Sequence, residues 1–354
     1  LALDTLAGSL RADRTQLALA ELAGNQDQLV LTGRIELPLR FDLLSAPESP
    51  VDGPFLAHLE VAPDSDLSPL LHATDAFTRI EGRGEGELII SGPMNDPGYQ
   101  GEIALRGVGF VLRGNQEIFR DCRAIGTFGD DHLVLTEIAG HEGLRGTFRG
   151  EGEVIFDGLE LETWDIDFEA DRFLVASIPD LRAVVRTRNG GFTGVPVGPD
   201  STLVPRFTGD YEVIKGRYTG NFSDPGTGAL DPTLGNVAPD WLADVRITGP
   251  PRSARIVNAT MELDLSGDVR LLRDADGLVL NGAMTIDNGR LPVFHNTFRV
   301  VRGELDFSRA VGVVPSVDID AETRVRVRSQ VAGQSRVERI TVHASGPASA
   351  MTIT

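Results

Sequence analysis

The chain has one cysteine, Cys122, among 354 residues, and only two tryptophans and three tyrosines. A lone cysteine excludes an intramolecular disulfide and a thiolate zinc site. Scarce Trp and Tyr argue against an outer-membrane barrel, whose two interfaces carry girdles of those residues. No apolar run approaches the roughly 18–20 residues that a membrane helix needs. Positive charge is also short: 33 bases against 52 acids leave a net charge of −19, which argues against nucleic acid as a partner.

Signatures of catalysis are missing too. His58, His72, His132, His141, His295 and His343 are scattered, and His141-Glu142 has no second histidine four residues on. There is no G-x-S-x-G elbow. Asp130-Asp131 and Asp224 lack the EF-hand and RTX spacings and read as solvated turn acids. Gly82-Arg83-Gly84-Glu85-Gly86 precedes a strand instead of joining a strand to a helix, so it reads as a hinge or turn and not a nucleotide loop. Cys122 sits in a strand-like segment and suits a buried, small apolar role. The sequence therefore predicts no enzyme activity, no cofactor and no metal.

What is present is alternation. Hydrophobic content of 41% excludes disorder, and 40 glycines with 20 prolines describe many short turns between strands. From Val317 to Val331 the odd positions read Val317, Ile319, Ala321, Thr323, Val325, Val327, Ser329 and Val331. The even positions read Asp318, Asp320, Glu322, Arg324, Arg326, Arg328 and Gln330. Successive strand side chains point to opposite faces, so this predicts one strand on the order of 50 Å long, apolar to small on one side and polar to charged on the other. Trp164, Ile166, Phe168 and Ala170 alternate with Asp165, Asp167, Glu169 and Asp171 in the same way. So do Met261, Leu263 and Leu265, and Leu305 with Phe307.

An internal repeat appears when glycines are aligned. Its copies are Gly101-Ile103-Leu105 with Phe110, Gly209-Tyr211-Val213 with Tyr218, and Gly282-Met284-Ile286 with Leu291. Each unit reads as strand, tight turn, strand, with glycine permitting the turn or a bulge, and Asn288-Gly289 fits that reading. Helical turns are expected at Asp66–His72 and near Asp240–Ala243, residues 12–23 have helix-compatible composition, and the Pro/Gly-rich stretch Ser223–Pro239 reads as a long loop. The domains expected are an upstream β-repeat segment at 1–80, β-repeats at 81–240 and a C-terminal β-domain at 241–354. The chain starts at Leu1 and not at methionine, which predicts an internal fragment.

The run Asn281 to Leu291, then Phe298-Arg299-Val300-Val301-Arg302-Gly303-Glu304-Leu305-Asp306-Phe307, then Pro315, Val317, Ile319 and Ala321, resembles the C-terminal domain of the TamB family. The resemblance implies an all-β, elongated, U-shaped β-taco with an apolar inner groove and a charged outer face. It implies a periplasmic segment of a protein anchored in the inner membrane of a Gram-negative bacterium. The implied partners are phospholipid acyl chains, membranes at both ends of the parent protein, and a TamA-type outer-membrane barrel.

A groove needs only shape and apolarity. Two chains of about sixteen carbons would cost on the order of 25 kcal/mol in open water, at roughly 0.8 kcal/mol per methylene. The residues expected to line it are Leu88, Ile90, Ile103, Leu105, Val154, Phe156, Val213, Met284, Ile286, Val317 and Ile319. Pattern alone leaves open the alternative that these side chains close against each other in a sandwich. Two further functions remain beside lipid transport. One is an assembly factor for outer-membrane proteins and autotransporters that templates client strands on a sheet edge. The other is a structural solenoid or adhesin, although no coil period of about 20–25 residues is evident.

Overall fold

The structure is a computed structural model. It describes residues 5–12, 17–26, 29–38, 53–68, 77–112, 118–143, 145–178, 180–198, 201–220, 222, 241–274, 277–293, 296–308, 314–328 and 335–354. Among the described residues there is no α-helix, and the protein is all-β. The chain forms two compact units, residues 1–169 with 192–194 and residues 170–191 with 195–354.

In the first unit the strands follow one another as an antiparallel meander. They are β1 (Thr5–Ala12), β2 (Leu17–Gln26), β3 (Leu29–Leu37), β4 (Phe55–Asp66), β5 (Phe77–Gly92), β6 (Gly98–Leu112), β7 (Phe119–Asp130), β8 (His132–Glu142) and β9 (Gly146–Asp157). Then come β10 (Glu160–Ile178) and β11 (Leu181–Val197), which contribute residues to both units. The helix-compatible residues 12–23 fall in β1 and β2 where they are described, so tertiary pairing overrides composition there.

The second unit continues with β12 (Thr202–Tyr218), β13 (Leu242–Val257), β14 (Glu262–Asp274), β15 (Gly277–Val293), β16 (Asn296–Asp306), β17 (Ser316–Arg328), β18 (Ser335–Pro347) and the short β19 (Thr352–Ile353). From β13 onward the pairing is antiparallel. The pair β12–β13 is different. These strands run parallel, from Arg206 opposite Leu242 to Tyr218 opposite Ile256. A parallel pair cannot be joined by a hairpin and needs a crossover of a dozen or more residues. Residues 219–241 make that connection, and the expected loop Ser223–Pro239, itself outside the described residues, lies within it.

Two local expectations are corrected, the turn near Asp240–Ala243 and the strand-turn-strand repeat. Leu242 and Ala243 open β13 and make no helical turn. At the turn expected over Asp66–His72, Asp66 closes β4, Ser68 has 3-10 geometry, and residues 69–72 lie outside the described residues. The repeat makes no turn, since each copy lies within a single strand, β6, β12 or β15, but the alternative of a bulge holds: the register shifts between Leu105 and Val108, between Glu212 and Gly216, and between Ile286 and Asn288. Asn288-Gly289 sits in the middle of β15, opposite Asp264 and Leu263 of β14. Gly289 is there for space, since a methyl group on it would stand 2.6 Å from Leu263 Cδ2 and 3.0 Å from Val300 Cγ2. The strand expected at Val317–Val331 is present as β17 through Arg328.

The closed core lies in the second unit. Met261, Leu263, Leu305, Ile319 and Ala344 have no exposed surface, and Leu265, Ile286, Leu291, Phe298, Val300 and Val317 pack with them. These residues all come from the apolar side of the alternation, so the pattern that makes the strands also makes the core.

Candidate functional site

Residues paired across antiparallel strands share a face, so the registers of the first unit show which side chains form one surface. One row runs Gly33, Leu59, Leu88, Gly101, Phe128, Leu133, Val154 across β3 to β9. The next runs Val61, Gly86, Ile103, Gly126, Leu135, Gly152, and a third Gly84, Leu105, Ala124, Ile138, Gly150. One face of seven successive strands is therefore apolar or glycine. The opposite face carries His58 on Glu87 at 2.8 Å, Arg106 on Glu85 at 2.6 Å, Arg123 on Glu137 and Arg149 on Glu169 at 2.6 Å. Asp165 and Asp167 are exposed there, as expected for the wet side of β10.

In the second row large residues and glycines strictly alternate. A methyl group on Gly126 would stand 2.8 Å from Leu133 Cδ1 and 3.1 Å from Leu135 Cδ2, and one on Gly86 would stand 3.2 Å from Ile103 Cγ2. Glycine gives each branched side chain the room to lie down over its neighbour's backbone. The stretch Gly82–Gly86 is thus no hinge: Gly84 and Gly86 lie inside β5 on the apolar face. The signal was in the sequence, because G-x-G spacing has the strand period of two and puts both glycines on one side. Gly150-Glu151-Gly152 repeats it in β9.

Those gaps are needed because the face is concave. The rings of Tyr99 on β6 and Phe156 on β9 stack with centroids 4.9 Å apart. In a flat sheet, strands three apart would hold them about 14 Å from each other. The Tyr99 hydroxyl donates to the Gly158 carbonyl at 2.6 Å, clasping the β9–β10 turn. Toward the opposite ends of the strands Phe110 stacks on Phe119 at 4.5 Å, and Phe119 meets Phe148 edge-on at 6.0 Å. Replacing Tyr99 with phenylalanine is expected to keep the stack and lose the clasp, lowering stability by about 1 kcal/mol in urea unfolding.

The expected lining residues separate into two environments. Leu88, Ile90, Ile103, Leu105, Val154 and Phe156 share the concave face of the first unit, and all are half-buried. In the second unit Met284 is half-buried at the margin of the core, whereas Val213, Ile286, Val317 and Ile319 are buried. At those last four positions the chain's own side chains fill the space. Tyr211, beside Val213 in the repeat, is buried as well, and burial pushes its hydroxyl up to about 12.

The remaining candidates are accounted for by local contacts. His132 hydrogen-bonds Asp131 at 3.0 Å and thereby lowers that carboxyl. His343 hydrogen-bonds Asp320 at 3.0 Å, and His141 is exposed. His72, His295 and Asp224 lie outside the described residues, among which no three metal-ligating side chains gather. Cys122 is buried, and its thiol is pushed up to about 11, chiefly by burial.

Comparison with known proteins bears on residues 137–354, which match the model of the TamB C-terminal domain. The match covers more than half of the chain. The chain belongs to the TamB family. A search of curated proteins finds no match. TamB membership gives the chain a role in outer-membrane biogenesis or assembly, in a Gram-negative envelope protein of a non-enzymatic transport and assembly family. The matched region takes in β9 with its apolar and glycine rows and the entire closed core of the second unit. No helix among the described residues is long and apolar enough to cross a membrane.

Proposed function

We propose that the concave face of the first unit holds phospholipid acyl chains, as part of a periplasmic path between inner and outer membrane. The parent protein is anchored in the inner membrane and meets a TamA-type barrel at the outer one. The chain itself catalyses nothing and carries no cofactor. One observation supports this reading above the others. Leu88, Ile90, Ile103, Leu105, Val154 and Phe156 are half-buried, while residues of the same alternation in the second unit reach zero exposure. A face that stays partly open along successive strands offers hydrocarbon a surface, and holding hydrocarbon requires nothing else.

The test is crosslinking. A photoreactive acyl chain should label the concave face, and the pair Leu88→Asp with Ile103→Asp should abolish labelling while far-UV circular dichroism keeps its strand signal. Unchanged labelling of a folded variant removes the proposal.

A second reading has its own observation. Strand β18 pairs with β17 along its length, but β19 with Thr354 covers only His343 to Ser345. The stretch Arg336–Thr341 therefore presents a backbone edge without a partner among the described residues. A client strand of an outer-membrane protein or autotransporter would add there by main-chain hydrogen bonding. Protein crosslinks confined to that edge, with no lipid bound, favour assembly over transport.

A further inference from the structure

The outer face of the second unit is not uniformly acidic. Across β15 to β18 the charges are sorted along the strands. At one end Glu304 stands opposite Asp318, and the next pair along is Arg302 opposite Asp320. Toward the other end stand Arg290, Arg299, Arg302, Arg324, Arg326 and Arg339, all exposed. Arg290 lies directly opposite Arg299, and Arg324 directly opposite Arg339. Like charges placed opposite each other destabilise a sheet. Arg290, Arg299 and Arg302 also stand opposite an acid, Glu262, Glu322 and Asp320 in turn. Arg339 reaches Glu322 at 3.5 Å, and the other five form no ion pair among the described residues. On other strands Arg149 is matched with Glu169, Arg186 with Asp171, Arg246 with Asp268 and Arg270 with Asp244. Six exposed arginines thus gather on four strands of a chain of net charge −19, five of them without an ion pair among the described residues.

Two aliphatic side chains stand among these arginines. Val301 is 65% exposed at the register shift between Val300 and Arg302, and Val337 is 56% exposed opposite Arg326. Guanidinium groups match phosphate oxygens as two-pronged donors. Four strands spread the field over roughly 14 Å in the pairing direction. A broad field of equivalent forks, with exposed aliphatics between them, fits many phosphates in a plane better than one small anion.

We propose that this patch is a docking surface for an anionic lipid bilayer, its arginines on headgroup phosphates and Val301 and Val337 against the headgroup boundary. It concerns the outer face alone and stands whether or not the concave face carries lipid. At about 0.1 M salt the Debye length is about 10 Å, so only the acids nearest the patch, Glu262, Asp320 and Glu322, temper its field.

The experiment is cosedimentation of the full chain with vesicles. Vesicles of about three parts phosphatidylcholine to one part phosphatidylglycerol should bind at about 0.1 M salt and release at about 1 M, and pure phosphatidylcholine should not bind. The variant R290Q/R299Q/R324Q/R326Q should bind roughly 100- to 1000-fold more weakly. The variant R106Q/R123Q/R149Q/R246Q, with the same charge change on matched arginines, should bind like the unaltered chain. Circular dichroism confirms that both are folded, and salt release of the unaltered chain needs no variant. Equal binding to neutral vesicles, unchanged binding of the patch variant, or capture of polyglutamate without anionic vesicles would each overturn the proposal, the last in favour of an acidic protein.

Discussion

Truncating Leu305 to alanine is expected to destabilise the second unit by about 2–5 kcal/mol, a loss of roughly 5–15 °C in its melting temperature. Leu305 has no exposed surface and lies opposite both Met284 and Val317. Neighbouring strands hold it on each side, so the cavity left behind cannot collapse cheaply. The same change at Leu88 should cost about 1 kcal/mol, because that side chain is half-buried and gives up less area. The contrast matters more than either number. Equal losses at the two sites would show that both faces are packed alike, leaving no open surface for hydrocarbon in the first unit.

The second large effect is expected at Gly101, where alanine should cost about 3 kcal/mol or more. Gly101 has φ +141°, a conformation that side-chain-bearing residues rarely adopt. A methyl group there would overlap the Glu87 carbonyl oxygen and lie 3.1 Å from Leu88 Cα, both backbone atoms of the paired strand. Neither can yield without breaking the β5–β6 ladder. The repeat predicts the same sensitivity at Gly209 and Gly282, with φ of +111° and +127°. Gly98, at the start of the same strand, has nothing nearer than 3.8 Å to a built methyl, so alanine there should change stability by less than about 1 kcal/mol. Urea unfolding of Gly101→Ala beside Gly98→Ala separates the cases, and similar midpoints would contradict the assignment.

These glycines show where sequence reading succeeds and where it stops. Their regular spacing was visible, but their purpose was read as turns or bulges. Asn288-Gly289 is a strong hairpin signal in isolation, and in β15 it is overridden by pairing with Asp264 and Leu263 of β14. The period-two glycines Gly84, Gly86, Gly150 and Gly152 were legible as alternation. That a missing side chain would accommodate a neighbour's Leu or Ile depended on which strands pair and on how tightly the sheet curls.

The alternation of Val317 to Arg328, and of Trp164 to Asp171, determined by itself that the protein is built of two-faced strands, one side apolar and one side charged. Side-chain direction on a strand is a local property, fixed by backbone geometry residue by residue. Tertiary structure decided everything that depends on distant partners: the parallel pairing of β12 with β13, the clasp of Tyr99 on Gly158, and the rows of registered glycines. It also decided which parts of one continuous apolar pattern are sealed, as at Leu305 and Ile319, and which stay half-open, as at Leu88 and Ile103. Burial is set by what lies opposite a side chain, and residues far away in the chain supply that.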